Sequence, residues 1–320
     1  MSPEVTLNNS QATAFAAKDQ GIPSVEVVRF CWQADPQVPQ DLLDVFEQQA
    51  CAWAQTLGEL QELYDGPRSA LKYSLRVSAR SLRVSARASC ERVQDCAQAL
   101  AAELNWKPPA PLSDRVEQQL GIPVLFVDMP TTAEGHTVFC GVYLSTTQDV
   151  IFVNRRLDVF RHNFHLACGL FQALTWDVLP PAYRSQSLLE AYPWGHPTEN
   201  LAHHFAMALL MPQDALMGLH GSAWVNDTRR FQELAALRQV SPEALAHRLH
   251  ELQLIDESTR KDFALVAPTA HLSEFPPKFS ATFLRLLQEA LSYGDLSKRE
   301  ALALLGISRQ EWDELTGRLS

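Results

Sequence analysis

Residues 164–172 of this chain read Phe-His-Leu-Ala-Cys-Gly-Leu-Phe-Gln, and residues 199–212 read Glu-Asn-Leu-Ala-His-His-Phe-Ala-Met-Ala-Leu-Leu-Met-Pro. A helical pattern runs from Arg161 to the C-terminus and is broken mainly at prolines, which predicts that both stretches are helices. Their histidine, cysteine, glutamine and glutamate side chains are the candidate functional residues. His162 and His165 are three apart, as are His165 and Cys168, so each pair lies close together on a helix surface.

The residues before these helices alternate in a way that predicts a small antiparallel sheet. Three strand candidates, separated by Gly135 and by a polar turn at residues 145–149, are residues 124–128, 137–144 and 150–154. An alternating run at residues 25–30 predicts a further short edge strand. The predicted fold class is therefore α+β, mostly helical, with the small antiparallel sheet next to a helical core.

The N-terminal part of the chain is predicted to contain helices at residues 41–64 and 88–104, followed by a proline-rich hinge at residues 106–111. Between the two helices, the heptapeptide Ser-Leu-Arg-Val-Ser-Ala-Arg of residues 74–80 is repeated at residues 81–87. One interpretation is a basic arm. We favour a neutral duplication in a tolerant surface segment, because a single duplication is not an array.

Four regions are predicted along the chain. They are a disordered leader (1–24), a helical N-terminal region with the arginine-rich duplication (25–110), a region around the candidate site (111–215) and a helical C-terminal region (216–320). The tail at residues 295–315 has a helix-turn-helix-like pattern around Gly306. Its basic and acidic residues balance, which argues against DNA reading.

Composition excludes several classes of function. With 27 basic and 37 acidic residues the net charge is −10, so the protein as a whole lacks the excess of positive charge that attracts nucleic acid. No apolar run of about 18 residues exists, so no membrane span is expected.

The six cysteines lack Cys-x-x-Cys spacing and are predicted to be reduced thiols. The N-terminus lacks the positively charged segment followed by an apolar segment that marks a signal peptide. The predicted compartment is therefore the cytoplasm.

The order and spacing of several motifs resemble the ImmA/IrrE family of metallopeptidases, in the long form that carries a helix-turn-helix repressor domain before the peptidase part. The motifs are residues 120–124, 151–156, 161–172, 199–212 and 234–249, the pair Phe275-Pro276, and the tail from residue 294 to residue 308. The resemblance implies a zincin-like peptidase domain at residues 111–215. It also implies that the tail is a structural cap, which we favour over DNA reading. Members of this family typically cut helix-turn-helix repressors in response to stress or DNA damage.

The chain departs from the family pattern at the reactive positions. The family helix reads Phe-Thr-Leu-Ala-His-Glu-Leu-Gly-His, and alignment on Phe164 places Cys168, Gly169 and Gln172 at the first histidine, the general-base glutamate and the second histidine. The third ligand is retained as Glu199. Gln172 is a poor, uncharged ligand and is interpreted as vestigial. Gly169 has no group to take a proton from water, a role worth roughly 10²–10⁴-fold in rate, so no catalytic residue is predicted.

A rebuilt metal site is the alternative. A thiolate is a good zinc ligand, so Cys168 and Glu199 are the predicted ligands if zinc binds, with His165 and His203 as further candidates. We favour the simpler interpretation, in which no cofactor binds. In that interpretation His162 and His165 lie on a solvated first turn of their helix.

Three functions compete at this point. The first, which we favour, is an inactive family member that binds or regulates a protein partner such as a helix-turn-helix repressor. The second is an active zinc metallopeptidase with a Cys/His/Glu site. The third is a DNA-binding regulator that uses the arginine-rich duplication or the tail. The oligomeric state is not predicted.

Overall fold

The computed structural model describes residues 29–66, 90–108, 110–145, 148–175, 197–217, 227–267 and 275–317. The predicted leader and the arginine-rich duplication lie outside the described residues. Within them, the strands are β1 (Arg29–Ala34), β2 (Val124–Val127), β3 (Val138–Leu144) and β4 (Asp149–Asn154). The helices are α1 (Gln40–Tyr64), α2 (Cys90–Leu104), α3 (Leu112–Arg115), α4 (Val159–Thr175), α5 (Pro197–Leu210), α6 (Gln213–Met217), α7 (Thr228–Arg238), α8 (Pro242–Glu251), α9 (Glu257–Ala264), α10 (Ala281–Tyr293), α11 (Lys298–Leu305) and α12 (Arg309–Gly317).

The α+β, mostly helical class is confirmed, and the sheet differs from the prediction in one respect. Its strand order is β1-β3-β4-β2, with β3 antiparallel to both β1 and β4 but with β2 parallel to β4. The sheet is therefore mixed rather than wholly antiparallel. The reason is topological, because β4 inserts between β2 and β3, which run in opposite directions. A strand in that position is necessarily parallel to one of its neighbours.

Side chains at alternate strand positions enter two separate cores, one on each face of the sheet. From β4, Ile151 and Val153 join a core with α2 to α9, whereas Val150 and Phe152 join a core with α1 and α10 to α12. All six residues of β4 are buried. The candidate helices α4 and α5 lie on the first face, so the sheet forms the floor beneath them.

The C-terminal tail packs as part of the second core. Helices α11 and α12 are joined at Gly306, whose φ of 63° is left-handed. The indole of Trp53 and the amide of Gln49, both on α1, donate hydrogen bonds to the Leu304 carbonyl at 2.8 and 2.7 Å. Trp312 on α12 is buried. These contacts agree with the structural cap favoured from the sequence.

A buried ionic network joins three helices of the first core. Arg248 on α8 is 0% exposed, and its Nη1 lies 2.6 Å from Glu251 Oε2 and 3.1 Å from Gln94 Oε1 of α2. His204 Nδ1 on α5 is 3.2 Å from the other oxygen of Glu251. Burial raises the pKa of Glu251, but the hydrogen bonds from His204 and Arg248 and the arginine charge outweigh it and bring this pKa to about 2. The network therefore links α2, α5 and α8 through one ionised carboxylate.

No helix in the described ranges is both long enough and apolar enough to cross a membrane.

Candidate functional site

Helix α4 lies on strands β3 and β4 and packs along its other side against α5. It carries most of the candidate residues, and they are buried. His162, His165, Cys168 and Gln172 are 8%, 7%, 0% and 5% exposed. The expectation that His162 and His165 occupy a solvated first turn is therefore wrong. His162 Nε2 is 3.1 Å from the Arg155 carbonyl in the β4–α4 connection, so the first turn is covered by the chain that leads into it.

Gly169, at the general-base position, faces the sheet. A Cβ atom on this residue would lie 2.9 Å from Ile151 Cγ2 and 3.5 Å from Val142 Cγ2. Real Cβ atoms are almost never found as close as the first distance, so α4 reaches the sheet this closely only because residue 169 has no side chain. A glutamate here would enter the packed floor of the core.

Cys168 and Gln172, at the two histidine positions, lie one turn apart on α4. Cys168 Sγ is 3.8 Å from the Ala202 carbonyl of α5. Gln172 Oε1 is buried and has no hydrogen-bond partner among the described residues. Glu199 belongs to the first turn of α5, but its side chain lies outside the described residues. The structure therefore places the backbones of the predicted ligands on adjacent helices and leaves the Cys168–Glu199 pair a prediction.

His165 and His203, the further ligand candidates, are joined by Gln33 of strand β1. The Gln33 Oε1 atom accepts hydrogen bonds from His165 Nδ1 at 3.1 Å and from the Cys140 thiol at 3.3 Å. Its Nε2 lies 3.4 Å from His203 Nε2. The His165 ring also stacks on Phe139, with ring centroids 4.7 Å apart. The two histidines are thus connected through one amide.

This environment keeps His165 neutral. Burial lowers the pKa of His165 to about 3, and the nearby charge of Arg161 acts in the same direction. The Nδ1 atom carries the proton that Gln33 accepts, since the Gln33 oxygen has no proton to donate. Sequence reasoning missed Gln33, because it lies 132 residues before His165 and just beyond the predicted edge strand. Only strand pairing shows that it is close.

The described residues do not fit a zinc ion. No three histidine, cysteine, aspartate or glutamate side chains in the described ranges come together in a way that holds a metal. The general-base position is filled by the sheet. The prediction that no cofactor binds remains a prediction, as does its zinc alternative.

We expect Gln33→Leu to lower the free energy of unfolding by about 1–3 kcal/mol, because the buried N–H of His165 and the Cys140 thiol lose their acceptor. Urea unfolding followed by circular dichroism measures the change. Gln37→Leu is the matched control. This glutamine is exposed, and its replacement is expected to change stability by less than about 0.5 kcal/mol. Equal effects of the two substitutions would show that the hydrogen bonds of Gln33 to His165 and Cys140 do not contribute to the free energy of unfolding.

In the described part of the chain, the helix that carries the aligned motif positions lies on a mixed sheet and has a second helix beside it. Residues 117–250 match the family model described as the IrrE N-terminal-like domain. The ImmA/IrrE resemblance is confirmed over these residues. The match begins just before β2 and ends within α8, so β1, with Gln33, lies outside it. No curated protein and no solved structure matches the chain.

Proposed function

We propose that this protein is a catalytically inactive ImmA/IrrE-like factor that acts by binding another protein. The observation that carries the proposal is the packing of Gly169, where a Cβ atom would lie 2.9 Å from the Ile151 side chain of the sheet. A general base in this family must stand at that position and face an attacking water. Here the position faces the core, so neither the group nor the space for it is present.

The partner that we propose is a helix-turn-helix repressor, by analogy with the substrates of the family. Binding without cleavage sequesters or protects such a repressor and controls stress-response or mobile-element genes. The proposed compartment is the cytoplasm, where such repressors act. The DNA-binding alternative is less well supported, because the exposed side chains of α12 include Glu311, Asp313 and Glu314 against Arg309.

The alternative is an active peptidase with a rebuilt metal site. One observation favours it: the buried Gln172 Oε1 atom has no hydrogen-bond partner among the described residues and lies one turn from Cys168. A metal held by Cys168 and Glu199 would lie near this oxygen. Metal analysis separates the two proposals.

The decisive experiment measures zinc per chain after dialysis against zinc, for the wild type and for Cys168→Ala, Glu199→Ala and the control Cys96→Ala, another buried cysteine. We expect much less than one zinc per chain in all four, and no cleavage of a purified helix-turn-helix repressor. Near-stoichiometric zinc that disappears in Cys168→Ala and Glu199→Ala but persists in Cys96→Ala, together with repressor cleavage, would establish the alternative.

A further inference from the structure

Two sequence motifs that the proposed function does not use meet at one end of the sheet. Asp128 follows β2 and Arg155-Arg156 follows β4, and because these strands are parallel their carboxyl ends share one edge. The segment with Phe275 crosses the same edge. It is held there by Arg155 Nε, which donates to the Pro276 carbonyl at 3.2 Å, and by the Phe279 N–H, which donates to the Phe126 carbonyl of β2 at 2.9 Å.

The result is an exposed aromatic ring beneath two guanidinium groups. The Phe275 side chain is 47% exposed, and the Cζ atoms of Arg155 and Arg156 lie 5.8 and 5.5 Å from its ring centroid. Both distances are within the range of cation–π attraction. We call this feature the Arg156–Phe275 surface. It combines the two residue types, arginine and aromatic, that are enriched at the energetic centres of protein interfaces.

The surface is held in place before any partner arrives. Buried Asn154 accepts the backbone N–H of Arg156 at 3.0 Å and donates to the Val138 carbonyl of β3 at 2.8 Å. Arg156 Nε donates to Asp128 Oδ1 at 2.6 Å. The Arg156 side chain is 60% exposed, and neither of its terminal amino groups has a hydrogen-bond partner in the described part of the chain. Those two groups remain available as a planar fork for a carboxylate.

The charge here is opposite in sign to that of the whole protein. Three cations, Arg155, Arg156 and Lys278, surround Asp128. Burial raises the pKa of Asp128, but the hydrogen bond from Arg156 and the three charges outweigh it and lower this pKa below its usual value. Glu311 of α12 also interacts with Lys278 and Asp128. Among the described residues, three cations against these two carboxylates give a local excess of positive charge in a chain of net charge −10.

We propose that the Arg156–Phe275 surface is a docking site for an acidic segment of a protein partner. A glutamate or aspartate of the partner binds the fork of Arg156, and an adjacent apolar side chain packs on the ring of Phe275. A nucleic acid fits less well, because its affinity needs many neutralised phosphates and this surface has one net positive charge. The inference stands independently of whether the peptidase site is active, since it uses none of those residues.

The test measures the binding of a fluorescein-labelled decapeptide of alternating glutamate and leucine by fluorescence anisotropy at low salt. We expect the wild type to bind it and Arg156→Gln to weaken binding about tenfold, the effect of one charge-assisted bidentate contact. Phe275→Ala is expected to weaken binding about fivefold through the lost apolar contact. Arg156→Lys, which keeps the charge but not the fork, is expected to fall between Arg156→Gln and the wild type.

Arg229→Gln is the matched control, because Arg229 is also an exposed arginine with a carboxylate partner but lies on α7, away from this surface. We expect it to bind the peptide as the wild type does. The proposal is overturned by failure of the wild type to bind, by equal losses in Arg156→Gln and Arg229→Gln, or by tighter binding of a decathymidine oligonucleotide than of the peptide. Thermal unfolding of each variant verifies that its fold is intact.

Discussion

Gly169→Glu is expected to destabilise the protein by about 3 kcal/mol or more, and not to restore a peptidase. The new side chain begins 2.9 Å from Ile151 Cγ2, in the core between α4 and the sheet. Overpacking of this kind typically costs about 1–3 kcal/mol, and a buried carboxylate without a partner adds to that cost. The triple variant Cys168→His/Gly169→Glu/Gln172→His, which rebuilds the family motif in sequence, is expected to be equally unstable and inactive. Urea unfolding and a repressor-cleavage assay measure the two effects.

Gly169→Ala separates the steric effect from the charge. In an ordinary helix interior, alanine is favoured over glycine by about 1 kcal/mol. At residue 169 we expect the opposite sign, a loss of about 1–3 kcal/mol, because the added methyl meets the sheet.

Two comparisons control this result. Gly317→Ala on α12, where an added Cβ meets nothing within 4 Å, is expected not to destabilise the protein. In the Ile151→Ala background the penalty of Gly169→Ala should shrink, because the clashing methyl is gone; a double-mutant cycle measures this coupling. A stabilising effect of Gly169→Ala, or a folded and active triple variant, would refute the packing argument on which the proposed function depends.

Arg248→Ala is expected to lower the free energy of unfolding by about 3–5 kcal/mol. Arg248 is fully buried, so its removal leaves a cavity in the core. It also removes the arginine partner of Glu251 and the 3.2 Å hydrogen bond to the Met211 carbonyl. Arg230→Ala is the matched control, because Arg230 forms an exposed ion pair with Asp227. Its loss is expected to cost less than about 1 kcal/mol. Similar effects of the two substitutions would show that the network around Arg248 contributes no more to stability than an exposed ion pair does.

The same network predicts a dependence of stability on pH. The pKa of Glu251 is about 2 in the folded protein, below its ordinary value of 4.5, so its contribution is fully present above pH 4.5 and is lost as the pH falls toward 2. The side chain is 32% exposed, so we expect a discounted loss of about 2 kcal/mol across this window. Urea unfolding between pH 5 and pH 2 measures it, and Glu251→Gln should flatten the curve over the same range.

The local elements could be read from the sequence, because their patterns are set by neighbours along the chain. The helix predicted at residues 41–64 is α1, Gln40–Tyr64, and the strand predicted at residues 137–144 is β3, Val138–Leu144. Gly121, which follows a π-helical turn at Val116–Leu120, takes a left-handed φ of 63°. Helical period, alternation and glycine stops are local signals, and the family resemblance followed from the order of such blocks.

The site depended on contacts between distant parts of the chain. Hydropathy gave no sign that β2 and β4 run parallel, because a strand has the same alternation in either direction. Burial of His162 was missed for a similar reason: the chain that leads into α4 bonds to this residue through a backbone carbonyl, which has no sequence signature. Gln33 reaches His165 only through the pairing of β1 with β3.

By itself the sequence determined the α+β class, the family resemblance and the residue types at the positions aligned with the His-Glu-x-x-His motif, since these are matters of residue type and spacing. The tertiary structure alone decided where the replaced positions point. Gly169 faces β4 at a distance that admits no side chain, and His165 faces an amide from a strand outside the family-matched domain. The direction of a side chain follows from how a helix is rotated against its sheet. That rotation is set by the packing of the whole core, which no local stretch of sequence specifies.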